Sequence, residues 1–192
     1  NVSSTLNDID IVVDTSCDDC GLICPTDLLT EAIDERGNTV SVCKLCIDEF
    51  YTKCPDCGEY CHNDSIHMTA SGICVCEHCL DDHYRYCEDC EQYFNIELGT
   101  IQYYDELGKA ICNQCFNRYY YFCDRCGHAV LNTDVYDVNT PHEQAGWCRS
   151  CVVDHSYLCC NCGILCNEQA TFRHNDVWYC ESCYEDLDIN DD

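Results

Sequence analysis

Twenty cysteines are arranged as ten Cys-x-x-Cys pairs: Cys17/Cys20, Cys43/Cys46, Cys54/Cys57, Cys76/Cys79, Cys87/Cys90, Cys112/Cys115, Cys123/Cys126, Cys148/Cys151, Cys159/Cys162 and Cys180/Cys183. Two thiolates separated by two residues can grip one ion, whereas disulfide frameworks show no such uniform gap. Cysteine supplies 25 of 192 residues, a density that otherwise marks disulfide scaffolds, so the spacing is what points to metal.

The first pair of successive units begins at Cys17, Cys54, Cys87, Cys123 and Cys159, which is a tandem repeat of about 36 residues. Within a unit the two pairs lie 17 to 22 residues apart, while the gap to the next unit is always seven. Joining the two pairs inside each unit uses all ten. Joining across the seven-residue gaps strands Cys17/Cys20 and Cys180/Cys183. Sequential pairing is therefore favoured, with a cross-brace (first pair with third, second with fourth) as the alternative that serves eight pairs. Four thiolates fill the tetrahedron around Zn2+ and leave no position for water, the mark of a structural site. Five zinc ions per chain are expected; iron is the other metal that joins two such pairs. A unit this small cannot sustain a fold by apolar burial alone, so the metal must supply the cross-link.

The elements that position these pairs are short. Apolar residues follow each second pair at helical spacing: Ile47/Phe50/Tyr51, Leu80/His83/Tyr84, Phe116/Tyr119/Tyr120, Val152/His155 and Tyr184/Leu187. Turn signals at Gly37-Asn38, Ser71-Gly72, Gly108 and Asn175-Asp176 mark a hairpin before that pair. Gly21, Gly58, Gly127 and Gly163 follow the first pair, where the knuckle turns its amides toward sulfur and needs positive φ; the third unit has Glu91 there, which predicts strain or a different backbone path. Each unit thus reads knuckle, β-hairpin, short helix, a small metal-stabilised α+β class. The boundaries are an extended arm over 1–16, units over 17–53, 54–86, 87–122, 123–158 and 159–184, and an acidic tail over 185–192.

This order resembles the treble-clef zinc fingers, and the run CEDCEQYF…GKAICNQCF (87–116) looks like half of a LIM domain, with an aromatic after the last ligand. The resemblance implies zinc as a structural ion and a role in protein contact. The chain departs from LIM in joining its units by seven residues instead of two, and in having only cysteine at the ligand positions.

Five cysteines lie outside the pairs. Cys24, Cys61 and Cys166 each sit four residues after a first pair, where the other units have Phe94 and Val130, so a buried apolar slot is expected. Cys74 aligns with Ser41, Ala110, Gly146 and Trp178, and Cys160 adjoins Cys159, for which it could substitute if the knuckle shifted by one residue. His83 and His155 align with Phe50, Tyr119 and Leu187 and are expected to pack. The remaining histidines share no repeat position, and no catalytic triad order or phosphate loop occurs, so no enzymatic activity is expected.

Thirty-six Asp+Glu against nine Lys+Arg give a formal net charge of −27. Five four-thiolate zinc sites would add about −10. Phosphate contacts need Lys and Arg, so direct nucleic-acid binding is not expected. A strongly acidic chain steers toward basic protein partners. The leading expectation is a non-catalytic interaction scaffold, in one form part of a viral or phage assembly. The alternatives are an acidic nucleic-acid mimic that inhibits a nucleic-acid enzyme, and a ubiquitin-ligase-type adaptor. With no charged-then-apolar leader before Cys17 and no apolar run near the ~20 residues of a membrane helix, the expected location is a reducing intracellular compartment (cytoplasm or nucleus) or a virion.

Overall fold

A computed structural model describes residues 14–188. They form a small α+β protein of five short helices and many small sheets, divided into two compact units. One unit runs up to Tyr86 and includes Glu91–Gly99; the other holds Cys87–Cys90 and the chain from Thr100 onward.

Repeat one shows the common plan. Strand Asp14–Ser16 enters the first cysteine pair and returns antiparallel as Ile23–Pro25. A single 3-10 turn follows, and then the hairpin Leu29–Ile33 with Thr39–Cys43, which delivers Cys43 to the start of helix α1 (Lys44–Phe50). The equivalent helices are α2 (Glu77–His83), α3 (Asn113–Tyr119), α4 (Arg149–His155) and α5 (Glu181–Asp188). Seven or eight residues are far too few for a helix to persist alone, so anchoring at the second cysteine pair is what makes these turns possible.

The hairpin turns fall where Gly, Asn and Asp announced them. Gly37 closes one by donating its N–H to the Asp34 carbonyl at 3.1 Å, and Asn175 and Asp176 take φ of 49° and 65° in another. The fourth hairpin, Val135–Asn139 with Gln144–Cys148, had no such signal; Thr140 closes it by donating its N–H to the Glu143 carbonyl at 2.9 Å. The residue before the second pair is the plug of the first four repeats: Val42, Val75, Ile111 and Trp147 are all buried, while Tyr179 in repeat five is partly buried.

The helix faces correct one expectation. Ile47, Leu80 and Phe116 are buried, as are Tyr51 and Tyr120, but Phe50 and Tyr119 are more than 40% exposed and His83 is exposed as well. Positions one and five after the last cysteine face inward. In α1, α2 and α3 position four points to solvent, because a helix of two turns has room for only a narrow inner stripe. His155 in α4 is partly buried.

The seven-residue joint is the end of one helix plus the strand entering the next knuckle. Tyr51–Lys53 pairs with Tyr60–His62, so this strand belongs structurally to the repeat that follows it. Of the expected arm, Asp14–Ser16 is a strand and residues 1–13 lie outside the described residues. Of the expected tail, 185–188 continue α5 and 189–192 lie outside the described residues.

Glu91 adopts φ 58°, the left-handed conformation that Gly supplies in the other knuckles. An L side chain there costs roughly 1–2 kcal/mol, partly offset by the greater freedom glycine loses on folding. Glu91→Gly is therefore expected to stabilise the protein by about 0.5–1 kcal/mol, seen as a shifted denaturation midpoint at unchanged metal content.

Candidate metal centres

In each repeat, hairpin and knuckle bring four sulfur atoms together. The groups are Cys17/Cys20/Cys43/Cys46, Cys54/Cys57/Cys76/Cys79, Cys87/Cys90/Cys112/Cys115, Cys123/Cys126/Cys148/Cys151 and Cys159/Cys162/Cys180/Cys183, with the sulfurs of each group within 4.8 Å of one another. Pairing is sequential, and the cross-brace is not what forms.

The spacing inside the groups is informative. Cys17–Cys46 and Cys20–Cys43 are separated by 3.8 Å, Cys43–Cys46 by 3.7 Å, Cys57–Cys76 and Cys90–Cys112 by 3.9 Å, Cys126–Cys148 by 3.8 Å and Cys162–Cys180 by 3.7 Å. A disulfide would bring two sulfurs to about 2.05 Å. Four sulfurs at ~2.3 Å from a central ion stand about 3.8 Å apart along the edges of a tetrahedron. The donor set therefore fits zinc in both chemistry and spacing. Were all four sulfurs ionised they would need a cation between them, since two unit charges 4 Å apart repel by about 4 kcal/mol at an effective dielectric near 20.

The backbone prepares one sulfur of each group for charge. Cys43, Cys76, Cys112 and Cys148 donate their N–H groups to the sulfurs of Cys17, Cys54, Cys87 and Cys123 at 3.3, 3.5, 3.2 and 3.2 Å. Burial alone would push the Cys17 thiol up, but amide donors from Cys20, Cys43 and Asp19 outweigh it and hold the thiol at about 6. The same balance holds Cys159 at about 6 and Cys54 at about 7. The last cysteines of the first four groups, Cys46, Cys79, Cys115 and Cys151, are pushed up by burial and by the neighbouring sulfurs.

The unpaired cysteines separate clearly from these groups. Cys61 and Cys166 are buried and donate their S–H to the carbonyls of Glu59 and Ile164, at 4.0 and 3.9 Å. Burial, reinforced by nearby sulfurs, pushes their thiols up to about 12 and 11, so both stay protonated, as an apolar slot requires. Cys24 is partly buried. Cys160 is exposed, with Cys159 in the sulfur group, so the knuckle keeps the register of the other repeats. The position aligned with Cys74 has a backbone duty: Ser41, Ala110, Gly146 and Trp178 accept the N–H of the residue after the first cysteine. In repeat two that residue is Pro55, which has no N–H to donate.

Sequence reading missed a second tie between knuckle and helix. The Tyr51 hydroxyl donates to Asp19 at 3.2 Å, and burial together with Asp56 and Asp89 pushes the Tyr84 and Tyr120 hydroxyls up. The signal was present as Asp before the second knuckle cysteine and Tyr five residues after the last. Repeat four replaces the pair: Arg125 lies 4.9 Å over the Trp147 ring and 3.9 Å from Glu168. In repeat three Lys109 also pairs with Asp89, and this contact raises the lysine's pKa. The other Asp89 oxygen is buried without a partner. Lys109→Met is expected to cost about 1–3 kcal/mol, between an exposed ion pair and a buried one, because Lys109 is 26% and Asp89 13% exposed. Chemical denaturation would detect it, with the number of bound metal ions unchanged.

The sequence matches no protein-family model and no curated protein, and no solved structure matches the chain.

Proposed function

We propose that the chain is a non-catalytic scaffold of five treble-clef-like zinc fingers that binds a protein partner with a basic surface. The observation that carries the zinc assignment is the gathering of four sulfurs within 4.8 Å of one another in every repeat, with a cross-pair in each at 3.7–3.9 Å. Each group supplies four protein ligands, which closes the coordination sphere against water and substrate. Zinc at such a site serves folding, and the twenty paired cysteines hold it. A reducing compartment is the setting in which so many thiolates stay available to metal.

The charge of −27 supports the choice of partner. Complementary potentials speed encounter and exclude acidic competitors. Affinity capture with the zinc-loaded chain at ~0.15 M salt tests this, where the Debye length is about 8 Å. The expected partner carries a basic face and is released as salt rises. A specific partner with a neutral or acidic face would overturn the reading. Competition with excess DNA then separates a plain scaffold from a mimic, because only a mimic occupies the partner's nucleic-acid groove and is displaced.

A further inference from the structure

One lateral contact recurs at each of the four junctions between repeats. The first hairpin strand of repeat one pairs in parallel with the knuckle strand of repeat two, Ala32 opposite Tyr60 and Ile33 opposite Cys61. Repeat four adds to repeat five in the same register, Asn139 opposite Cys166. Between repeats two and three the contact is one bond, the Ala70 N–H donating to the Tyr93 carbonyl at 2.9 Å. Between three and four the Ala129 N–H donates to the Glu106 carboxylate at 2.7 Å. On the giving strand the residue at this point is buried each time: Ala32, Thr69, Tyr104 and Val138 are at most 6% exposed.

Both halves of the joint recur without an occupant among the described residues. The equivalent giving residue in repeat five is His174, only partly buried, beside Phe172 and Val177 at 37% and 40% exposure. The equivalent receiving strand in repeat one is Ile23–Pro25, whose Ile23 is 71% exposed. Next to that edge lies a groove of about 520 Å³ walled by Leu22, Cys24, Leu28, Cys43, Leu45 and Asp48. The matching groove of repeat two is walled on one side by the tip of hairpin one, from Ile33 to Gly37. Where repeat two has Glu59, Ser65 and His78, repeat one has Leu22, Leu28 and Leu45, each at least half exposed.

We propose that copies of this chain associate head to tail, the repeat-five hairpin of one copy adding to the Ile23–Pro25 edge and leucine groove of the next. The occupant follows from the four internal junctions, where the element docked at this place is always the hairpin of the preceding repeat. Joints within the chain are held by a covalent tether that keeps the local concentration high. A joint between copies has no tether, and the exchange of Glu, Ser and His for three leucines supplies the additional apolar area. Such a contact is heterologous and generates rings or open chains. The charge of −27 on each copy opposes it, so association grows as salt shortens the Debye length from about 10 Å at 0.1 M to about 3 Å at 1 M.

Sedimentation of the full zinc-loaded chain under reducing conditions, at ~1 M salt where screening is strongest, is expected to give a mean mass that rises with concentration past the dimer. A receiving-side variant, Leu28→Glu with Leu45→Glu, and a giving-side variant, His174→Glu, are each expected to stay monomeric. Their equimolar mixture should form a dimer and nothing larger, since only one joint can assemble. Hydrogen exchange of the unaltered chain gives a readout free of substitutions: Ile23–Pro25 and Thr171–His174 gain protection as concentration rises. A wild type that stays monomeric overturns the proposal. So do variants that still associate alone, a mixture that stays monomeric or polymerises, and exchange that ignores concentration.

Discussion

Exhaustive chelation under reducing conditions is expected to abolish the fold, with loss of helix and strand signal and rapid exchange of every backbone amide. Each repeat buries only a few whole side chains, such as Val42 and Ile47 in repeat one or Val75 and Leu80 in repeat two. Full burial of a side chain of this size contributes about 1.5–3 kcal/mol, against roughly 1–2 kcal/mol of backbone entropy for every ordered residue. A structural zinc site contributes about 10–16 kcal/mol. Four thiolates gathered within 4.8 Å of one another would also repel once no ion lay between them. Circular dichroism before and after chelation reads the effect directly, and restored signal on adding zinc excludes irreversible damage.

The second large effect is local. Cys54→Ser removes a fully buried ligand from repeat two. It is expected to lower the metal content from five ions to four and to expose that repeat to proteolysis. The damage should extend to repeat one, because Tyr60–His62 is paired with Leu29–Ile33. Cys61→Val is the control. It replaces another buried cysteine of the same repeat but should keep five ions and change stability by less than about 1.5 kcal/mol, since repeat four holds Val130 in the equivalent slot. Metal content and limited proteolysis of the two variants give the comparison.

The metal groups were legible because two-residue gaps and a fixed seven-residue joint are local features, and elimination favoured the sequential pairing that forms over the cross-brace. Knuckle glycines and turn residues were legible for the same reason, since positive φ is a property of single residues; Glu91 shows the backbone prevailing over side-chain preference. The lateral joints were not legible. Parallel pairing of Ala32 with Tyr60 joins residues with no shared local signal, and His174 takes the place of Ala32, Thr69, Tyr104 and Val138 with no chemical likeness to mark it. The outward turn of Phe50 and Tyr119 escaped too, because helical spacing defines a stripe and tertiary packing decides how much of it is covered.

Native mass spectrometry of the reduced, zinc-loaded chain tests the central claim most directly. Five zinc ions per chain is the predicted result. Another count, or a metal-free chain whose cysteines are joined in disulfides, would contradict it.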